Sequence, residues 1–313
     1  MDPSKFKPST VLLNHNVYPA ISRGALQNAN ANKLAVVTGA GRGIGRAIAE
    51  ALAASGANVA LLDLNLQSLE DTKNACENLG SRVGAYQCNV CDGPRVQEVF
   101  QSIRKDLGPI DVLVNNAGKS PARPLSMETF DQFWNTIEVN FKGAMQCIFQ
   151  VLPEMRERRS GSIISIASRA ATVDAPFCVG YDAGKAALVR AISTIQTELE
   201  MDGLGEQISM YALHPGGVMT AMGGARFDPD VLERYPWLEE TAKDFGKLFK
   251  DDPTLCGSTC AYLATGKGRN LRGCYFDCRQ DIERVCGVGR ETLEAYGLYT
   301  LKVEFLQGYE NEP

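Results

Sequence analysis

The feature that most constrains this 313-residue chain is a short apolar run that leads directly into a cluster of glycines. Leu34–Thr38 has the apolar and β-branched character of a buried parallel strand. Gly39, Gly43 and Gly45 follow, and apolar residues then recur at helical spacing over residues 44–52. A strand, a glycine turn and a helix in this order present backbone N–H groups and the positive end of a helix dipole to a phosphate. The stretch predicts a dinucleotide-binding βα unit.

The glycine spacing departs from the common GxGxxG fingerprint, because Ile44 takes the place of the third glycine. The pattern is instead TGxxxGxG over residues 38–45, with Arg42 inside the turn. A glycine cluster alone is a weak signal, and a tight turn without a ligand is the alternative. The strand before the turn and the helix after it favour the phosphate-binding interpretation.

Asp63 lies near the end of the second predicted strand, about twenty residues after the glycine turn, where the adenosine ribose would lie. A carboxylate there accepts hydrogen bonds from ribose hydroxyls and repels a 2′-phosphate, which favours NAD. Arg42 acts in the opposite direction, since a guanidinium pairs with phosphate, and this keeps NADP open. A solvated carboxylate at a strand end is the alternative for Asp63. Asn89 and Val90 follow the third strand, where an adenine would rest.

Strands that alternate with helices predict an α/β fold with a doubly wound parallel sheet. Ligands of such sheets lie beyond the carboxyl ends of the strands, so polar side chains at those ends should converge on one site. The residues at these predicted ends are Asp63, Asn89, Asn116, Ala117, Gly118 and Ser168.

The chemistry is predicted to lie between Ser168 and Lys185. Lys185 follows Tyr181 by four positions, so both side chains share one face if the segment is helical. A cation there is expected to lower the pKa of the phenol from its ordinary value near ~10, which makes Tyr181 a general acid or base for alcohol–ketone interconversion. Ser168 would donate a hydrogen bond to the reacting oxygen. A tyrosine four residues before a lysine is also common on ordinary amphipathic helices. The pair therefore indicates catalysis only in combination with the motifs that precede it in the chain.

In combination, these motifs resemble the short-chain dehydrogenase/reductase family over residues 33–277. They are TGxxxGxG at 38–45, NNAG at 115–118, Asn140, Ser168, YxxxK at 181–185 and the turn at Pro215 and Gly216. The resemblance implies a Rossmann-like fold and an NAD(P)-dependent enzyme that acts on CH–OH groups.

The resemblance also implies roles for individual residues. Tyr181 would be the acid and base, Lys185 would lower its pKa and bind the nicotinamide ribose, and Ser168 would orient the carbonyl. Asn140, at a predicted break between two helices, would hold the water that links Lys185 to solvent.

Val218 and Thr220 would contact the nicotinamide amide.

Two positions depart from the family pattern. Asn89 stands where an aspartate is frequent, and Arg169 is unusual directly after the serine. Arg169 would either attract an anionic substrate or form a structural salt bridge.

The chain is predicted to consist of an N-terminal arm (1–32), a dinucleotide-binding catalytic domain (33–277) and a C-terminal helical tail (278–313). Residues 17–21 and 301–306 resemble a fungal subgroup of the family, some of whose members serve natural-product pathways, which suggests secondary metabolism. Residues 218–252 break the βα rhythm and are interpreted as a substrate lid. Their aromatic and methionine side chains favour a bulky apolar substrate. A helical subdomain with a core of its own is the alternative.

Composition excludes several classes of partner. The net charge is −5 without a basic patch, so nucleic acid is not expected. No apolar run approaches the ~20 residues of a membrane span and no signal-peptide core is present, so a cytoplasmic protein is expected. Ten scattered cysteines and two histidines predict reduced thiols and no metal site. The family resemblance suggests a homodimer or homotetramer assembled through the long helices.

Two other functions use the same fold. One is a cofactor-bound isomerase, cyclase or lyase without net redox change. The other is a non-catalytic dinucleotide sensor, which would not need the set formed by Asn140, Ser168, Tyr181 and Lys185. Fold alone does not separate these functions from an oxidoreductase.

Overall fold

The structure, a computed structural model, describes residues 11–220, 222, 227–240, 246 and 249–305. Its centre is one seven-stranded sheet in the order β3-β2-β1-β4-β5-β6-β7, and the paired strands are parallel. The strands are β1 (Leu34–Thr38), β2 (Asn58–Asp63), β3 (Val83–Gln87), β4 (Val112–Asn115), β5 (Gly161–Ile166), β6 (Ile208–His214) and β7 (Tyr275–Asp277). The predicted doubly wound α/β fold is confirmed.

Helices cover both faces of this sheet. They are α1 (Gly43–Ala54), α2 (Glu70–Asn78), α3 (Gly93–Leu107), α4 (Phe130–Ile137), α5 (Gly143–Arg158), α6 (Val179–Met201), α7 (Pro229–Arg234), α8 (Pro253–Ala264), α9 (Ile282–Cys286) and α10 (Arg290–Ala295). Successive strand residues point to opposite faces, so each face has its own apolar core. Val37 packs with α1, α2 and α8, whereas Val36 packs with α3, α5 and α6.

The strand order reverses between β1 and β4, which places a crevice beyond their carboxyl ends. The glycine turn follows β1, and residues 116–118 follow β4. The topology therefore brings the two predicted cofactor segments side by side. Of the helices that the structure describes, none combines the length and apolar character needed to cross a membrane.

The predicted helix break at Asn140 is a π-helical segment, Glu138–Lys142, between α4 and α5. Such a segment opens the i→i−4 ladder locally and is frequent at functional sites. The predicted helical tail is found in part: α9 and α10 are short, and residues 296–305 are not helical. The last eight residues lie outside the described part of the chain.

The N-terminal arm packs on the body through the predicted apolar clip. Ile21 and Tyr18 are buried, and the Tyr18 hydroxyl donates a hydrogen bond of 2.9 Å to the carbonyl of Gln280 in the tail. The division of the chain into arm, catalytic domain and tail stays a prediction.

Candidate active site

The glycine turn is clamped by the residues that follow β4. Thr38 Oγ1 accepts hydrogen bonds of 3.0 Å from the backbone N–H groups of Asn116 and Ala117. In return, Asn116 Nδ2 donates 3.0 Å bonds to the carbonyls of Thr38 and Gly39. A Cβ at Gly45 would lie 2.5 Å from the same Nδ2, so only glycine allows this approach. The sequence predicted the glycines, Asn116 and Ala117 at the crevice, and the structure brings them together there with Thr38.

Helix α1 starts at Gly43 and runs away from the crevice, with Ile44 half-buried in its first turn. Arg42 is exposed at the N-cap. The segment after β6 passes over this turn: a Cβ at Gly43 would lie 3.3 Å from Cγ2 of Thr220. Val218, two residues earlier, is buried. Both predicted nicotinamide contacts therefore lie on a segment that faces the glycine turn.

Asp63 points back toward the glycine turn. Its Oδ2 accepts a 3.1 Å hydrogen bond from the backbone N–H of Gly41, and its Oδ1 accepts one of 3.3 Å from Asn65. Its half-buried carboxylate is thus tied to the turn rather than freely solvated.

The predicted adenine contacts differ from each other. Val90 is buried, whereas Asn89 is exposed and its Oδ1 accepts a hydrogen bond from the backbone N–H of Cys91.

Lys185 is buried beneath the tyrosine. It is 3% exposed, and its Nζ donates a 2.7 Å hydrogen bond to the carbonyl of Ile166, the last residue of β5. The same nitrogen lies 5.7 Å from the centre of the Tyr181 ring. Burial lowers the pKa of Lys185 from 10.5 to about 8, because the charged form is poorly solvated.

The predicted low pKa of Tyr181 is wrong for this structure. Burial raises the pKa of the phenol to about 12, and a hydrogen bond with Ser168 only partly opposes this effect. Four-residue spacing does place Lys185 next to Tyr181, but desolvation of the phenolate dominates the pKa of the phenol. At neutral pH the phenol therefore holds its proton.

Asn140 faces the lysine from the π-helical segment. Its Nδ2 donates hydrogen bonds of 2.6 Å and 2.9 Å to the carbonyls of Lys119 and Thr136. Its Oδ1 is buried, and no described residue donates to it. A Cβ at Gly118 would lie 2.8 Å from that oxygen and 3.7 Å from Nζ of Lys185. The oxygen is therefore a free acceptor directed at the space between Gly118 and the lysine.

Sequence reasoning missed Phe177, the aromatic side chain on which the rings of the predicted lid pack. The Phe177 ring lies 6.2 Å from that of Phe227, 5.5 Å from that of Tyr235 and 6.3 Å from that of Trp237. Phe177 precedes Tyr181 by four residues in a loop, and its φ of 70° is rare for a bulky side chain. The rings of the predicted lid thus pack on a residue outside residues 218–252, rather than only on each other.

Ion pairs also hold the part of the predicted lid that contains Asp228 and Asp230. Arg123, in the loop after β4, pairs with Asp228 at 3.0 Å and also with Asp230 at the start of α7.

Phe245, a predicted member of the lid, lies outside the described residues. Arg169 is exposed in the turn after Ser168, and both of its predicted roles stay open.

The structure combines a doubly wound sheet, a glycine turn at the crevice of that sheet, and a tyrosine over a buried lysine beside the turn. This combination defines a dinucleotide-dependent oxidoreductase. Comparison with known proteins gives the family. Residues 33–230 match the short chain dehydrogenase family, and the chain belongs to it.

Two relatives show how far this similarity extends. A short chain dehydrogenase of Pseudocercospora fijiensis is 29% identical over 88% of this chain and 90% of its own length. The 3-oxoacyl-[acyl-carrier-protein] reductase FabG of Staphylococcus epidermidis is 35% identical over 77% of this chain and 95% of its own.

Among solved structures, carveol dehydrogenase from Mycobacterium avium in complex with NAD superposes with a TM-score of 0.70. The two proteins are 23% identical, and the superposition covers 79% of this chain and 96% of the carveol dehydrogenase chain. At this level of identity the similarity is one of fold. The protein is an NAD(P)-dependent oxidoreductase that transfers hydride between a nicotinamide cofactor and a small-molecule alcohol or ketone. The alternative of a non-redox isomerase or cyclase gains no support from these relatives.

Proposed function

We propose that Tyr181 is the general acid and base of this reaction, and that the substrate is a bulky apolar alcohol or ketone. One observation carries the proposal. Tyr181, Ser168 and Lys185 come together beside the glycine turn, with the buried lysine joined to the strand that delivers the serine.

The residues at the crevice fit a bound dinucleotide. Backbone N–H groups at the start of α1 would hold the pyrophosphate, and Asp63 would accept hydrogen bonds from the adenosine ribose. Lys185 would bind the nicotinamide ribose, and Val218 and Thr220 the amide. The buried Oδ1 of Asn140 supports this assignment, because no described residue satisfies it and a water between it and Lys185 would do so. The bound nicotinamide ring supplies or takes up the hydride.

The protein's own part in the reaction is to position groups and to move a proton. Ser168 holds the carbonyl oxygen and the Tyr181 hydroxyl in one hydrogen-bonded set. With its pKa raised to about 12, the phenol is protonated at neutral pH and gives its proton to the carbonyl oxygen as a ketone is reduced. In alcohol oxidation the proton passes in the opposite direction, from the alcohol to the Tyr181 oxygen, with the amine of Lys185 beside the ring. Asn140 connects the lysine to solvent through a water, so the proton is replaced.

We propose NAD rather than NADP as the preferred cofactor. The Asp63 carboxylate is fixed at the glycine turn by the N–H of Gly41, where a 2′-phosphate would meet a negative charge. Arg42 is exposed and not tied to that carboxylate, so it remains the one residue of the turn able to favour NADP.

The proposed substrate class rests on the aromatic rings that pack on Phe177, four residues before Tyr181. Phe177, Phe227, Tyr235 and Trp237 form an aromatic wall, and Trp237 is 54% exposed. Partly exposed aromatic rings that pack on the loop before Tyr181 favour an apolar ligand. A role in secondary metabolism and a cytoplasmic location stay predictions.

We also propose a homo-oligomer, a dimer or a tetramer, assembled on α4 and α5. Phe149 on α5 and Phe130 on α4 are each 72% exposed, and the Phe130 ring stacks on that of Trp134 at 6.0 Å. Aromatic side chains are enriched at protein interfaces relative to the rest of the surface, which supports this assignment.

The experiment that tests the proposed function is a screen of hydrophobic ketones with NADH, in which cofactor oxidation and alcohol formation are measured together. The expected result is one NADH oxidised for each alcohol formed. Product formation without cofactor consumption would instead indicate the isomerase or cyclase alternative.

A further inference from the structure

The loop that carries Val218 and Thr220 is fixed by a buried carboxylate outside the catalytic set. Asp251 is 5% exposed, and its Oδ2 accepts a 2.5 Å hydrogen bond from the backbone N–H of Gly217. Its Oδ1 is hydrogen-bonded to Nδ1 of His15, a residue of the N-terminal arm. One carboxylate therefore joins the arm to the loop after β6.

Backbone contacts reinforce this junction on both sides. The N–H of Asp251 donates to the carbonyl of Gly217 at 2.9 Å, and the N–H of Asp252 donates to the carbonyl of His15 at 2.9 Å. Gly216 has a φ of 82°, and a Cβ there would lie 2.6 Å from Oδ2 of Asp251. The loop is thus shaped to receive the carboxylate.

Asp251 depends on few donors. A buried carboxylate is costly unless hydrogen bonds or a cation compensate it. The nearest guanidinium, that of Arg279, is 3.9 Å away and bonds to Asp277 at 3.0 Å and 2.6 Å. His15 and Gly217 therefore make the direct hydrogen bonds that the structure shows to the Asp251 side chain. Loss of the histidine would leave the carboxylate under-compensated at the base of the loop.

We propose that His15 is a positioning residue for the nicotinamide end of the cofactor, acting through Asp251 on residues 216–220. This inference rests on the proposed function, which assigns Val218 and Thr220 to the nicotinamide amide. Val218 and Thr220 follow Gly217 closely in the chain, so a shift at Gly217 moves both proposed nicotinamide contacts. The proposed ribose contact, Asp63 at the end of β2, is held by the glycine turn and not by this loop.

The arm has other anchors, so the role of His15 is separable from the docking of the arm. The Tyr18 hydroxyl donates to the carbonyl of Gln280 and accepts a 3.1 Å bond from the N–H of Ile282. Asn14 Nδ2 donates a 3.1 Å bond to the carbonyl of Arg279. Replacing Asn14 removes an arm-to-tail contact of similar exposure without touching Asp251, which makes it the matched control.

The test compares two ligands in the full-length protein. NADH reaches both ends of the proposed site, whereas ADP-ribose lacks the nicotinamide. For H15A we expect the Kd for NADH to rise about five- to tenfold while that for ADP-ribose changes less than about twofold. H15N, whose amide nitrogen occupies the place of Nδ1, should restore NADH binding, and N14A should bind both ligands like the wild type.

Equal weakening of both ligands in H15A would overturn the proposal, because the arm would then act on the whole fold. Unchanged NADH binding in H15A, or failure of H15N to restore it, would also overturn the proposal. If the wild-type protein itself binds neither ligand, the proposed function fails, and this result is distinct from a failure seen only in the variants.

Discussion

Lys185 on α6 is hydrogen-bonded to the carbonyl of Ile166 at the end of β5, with Nζ and oxygen 2.7 Å apart. The bond joins the helix that carries Tyr181 to the strand that ends beside Ser168. The relative position of the two groups therefore does not depend on the loop between them.

The buried lysine predicts a specific dependence of stability on pH. Its pKa is lowered from 10.5 to about 8, so the unfolded chain binds more protons than the folded protein between these values. Wild-type stability, relative to that of Lys185→Met, should therefore rise as the pH increases through this window and be constant below and above it. Free energies of unfolding in urea, measured for both proteins on each side of the window, test this. A difference that is flat with pH would show that the lysine is not desolvated.

Asp63 should set cofactor choice through its charge. Asp63→Asn keeps the shape of the side chain and removes the repulsion of a 2′-phosphate, so the ratio of kcat/KM for NADPH to that for NADH should rise about 10- to 100-fold. Arg42→Ala should lower the same ratio. Steady-state kinetics with both cofactors on one ketone give the answer, and an unchanged ratio in D63N would remove the argument for NAD.

Phe177 should determine substrate size, because it joins the aromatic wall to the loop before Tyr181. Phe177→Ala should raise KM for bulky apolar ketones about tenfold, through lost apolar contact, and change KM for small ketones much less. Tyr296→Ala, which removes an exposed ring in the tail, is the matched control. Equal effects on small and bulky ketones would show that the wall belongs to the protein's own core.

The parts of the site that were predictable from sequence depend on local patterns. The turn after β1, the position of Asp63 at the end of β2 and the helix break at Asn140 each arise from residues within a few positions of one another. Glycines, strand ends and helical spacing are visible in such short windows. The topology then brings these positions together, because the strands of a doubly wound sheet share one carboxyl edge.

The parts that were not predictable depend on tertiary packing. Spacing shows a neighbouring cation and so predicts a lowered pKa for Tyr181, whereas the burial that raises this pKa depends on tertiary packing. Phe177 carries no motif, and its partners lie fifty and more residues later in the chain. His15 meets Asp251 across 236 positions, a contact to which no periodicity or spacing points.

The most direct test of the central claim is the turnover of Tyr181→Phe, measured together with its affinity for NADH. The ring and its packing remain, and only the hydroxyl is lost. We expect the Kd for NADH to stay within about twofold, while kcat for ketone reduction falls about 10²- to 10⁴-fold because the proton donor is gone. Turnover close to that of the wild type, with NADH still consumed, would contradict the account.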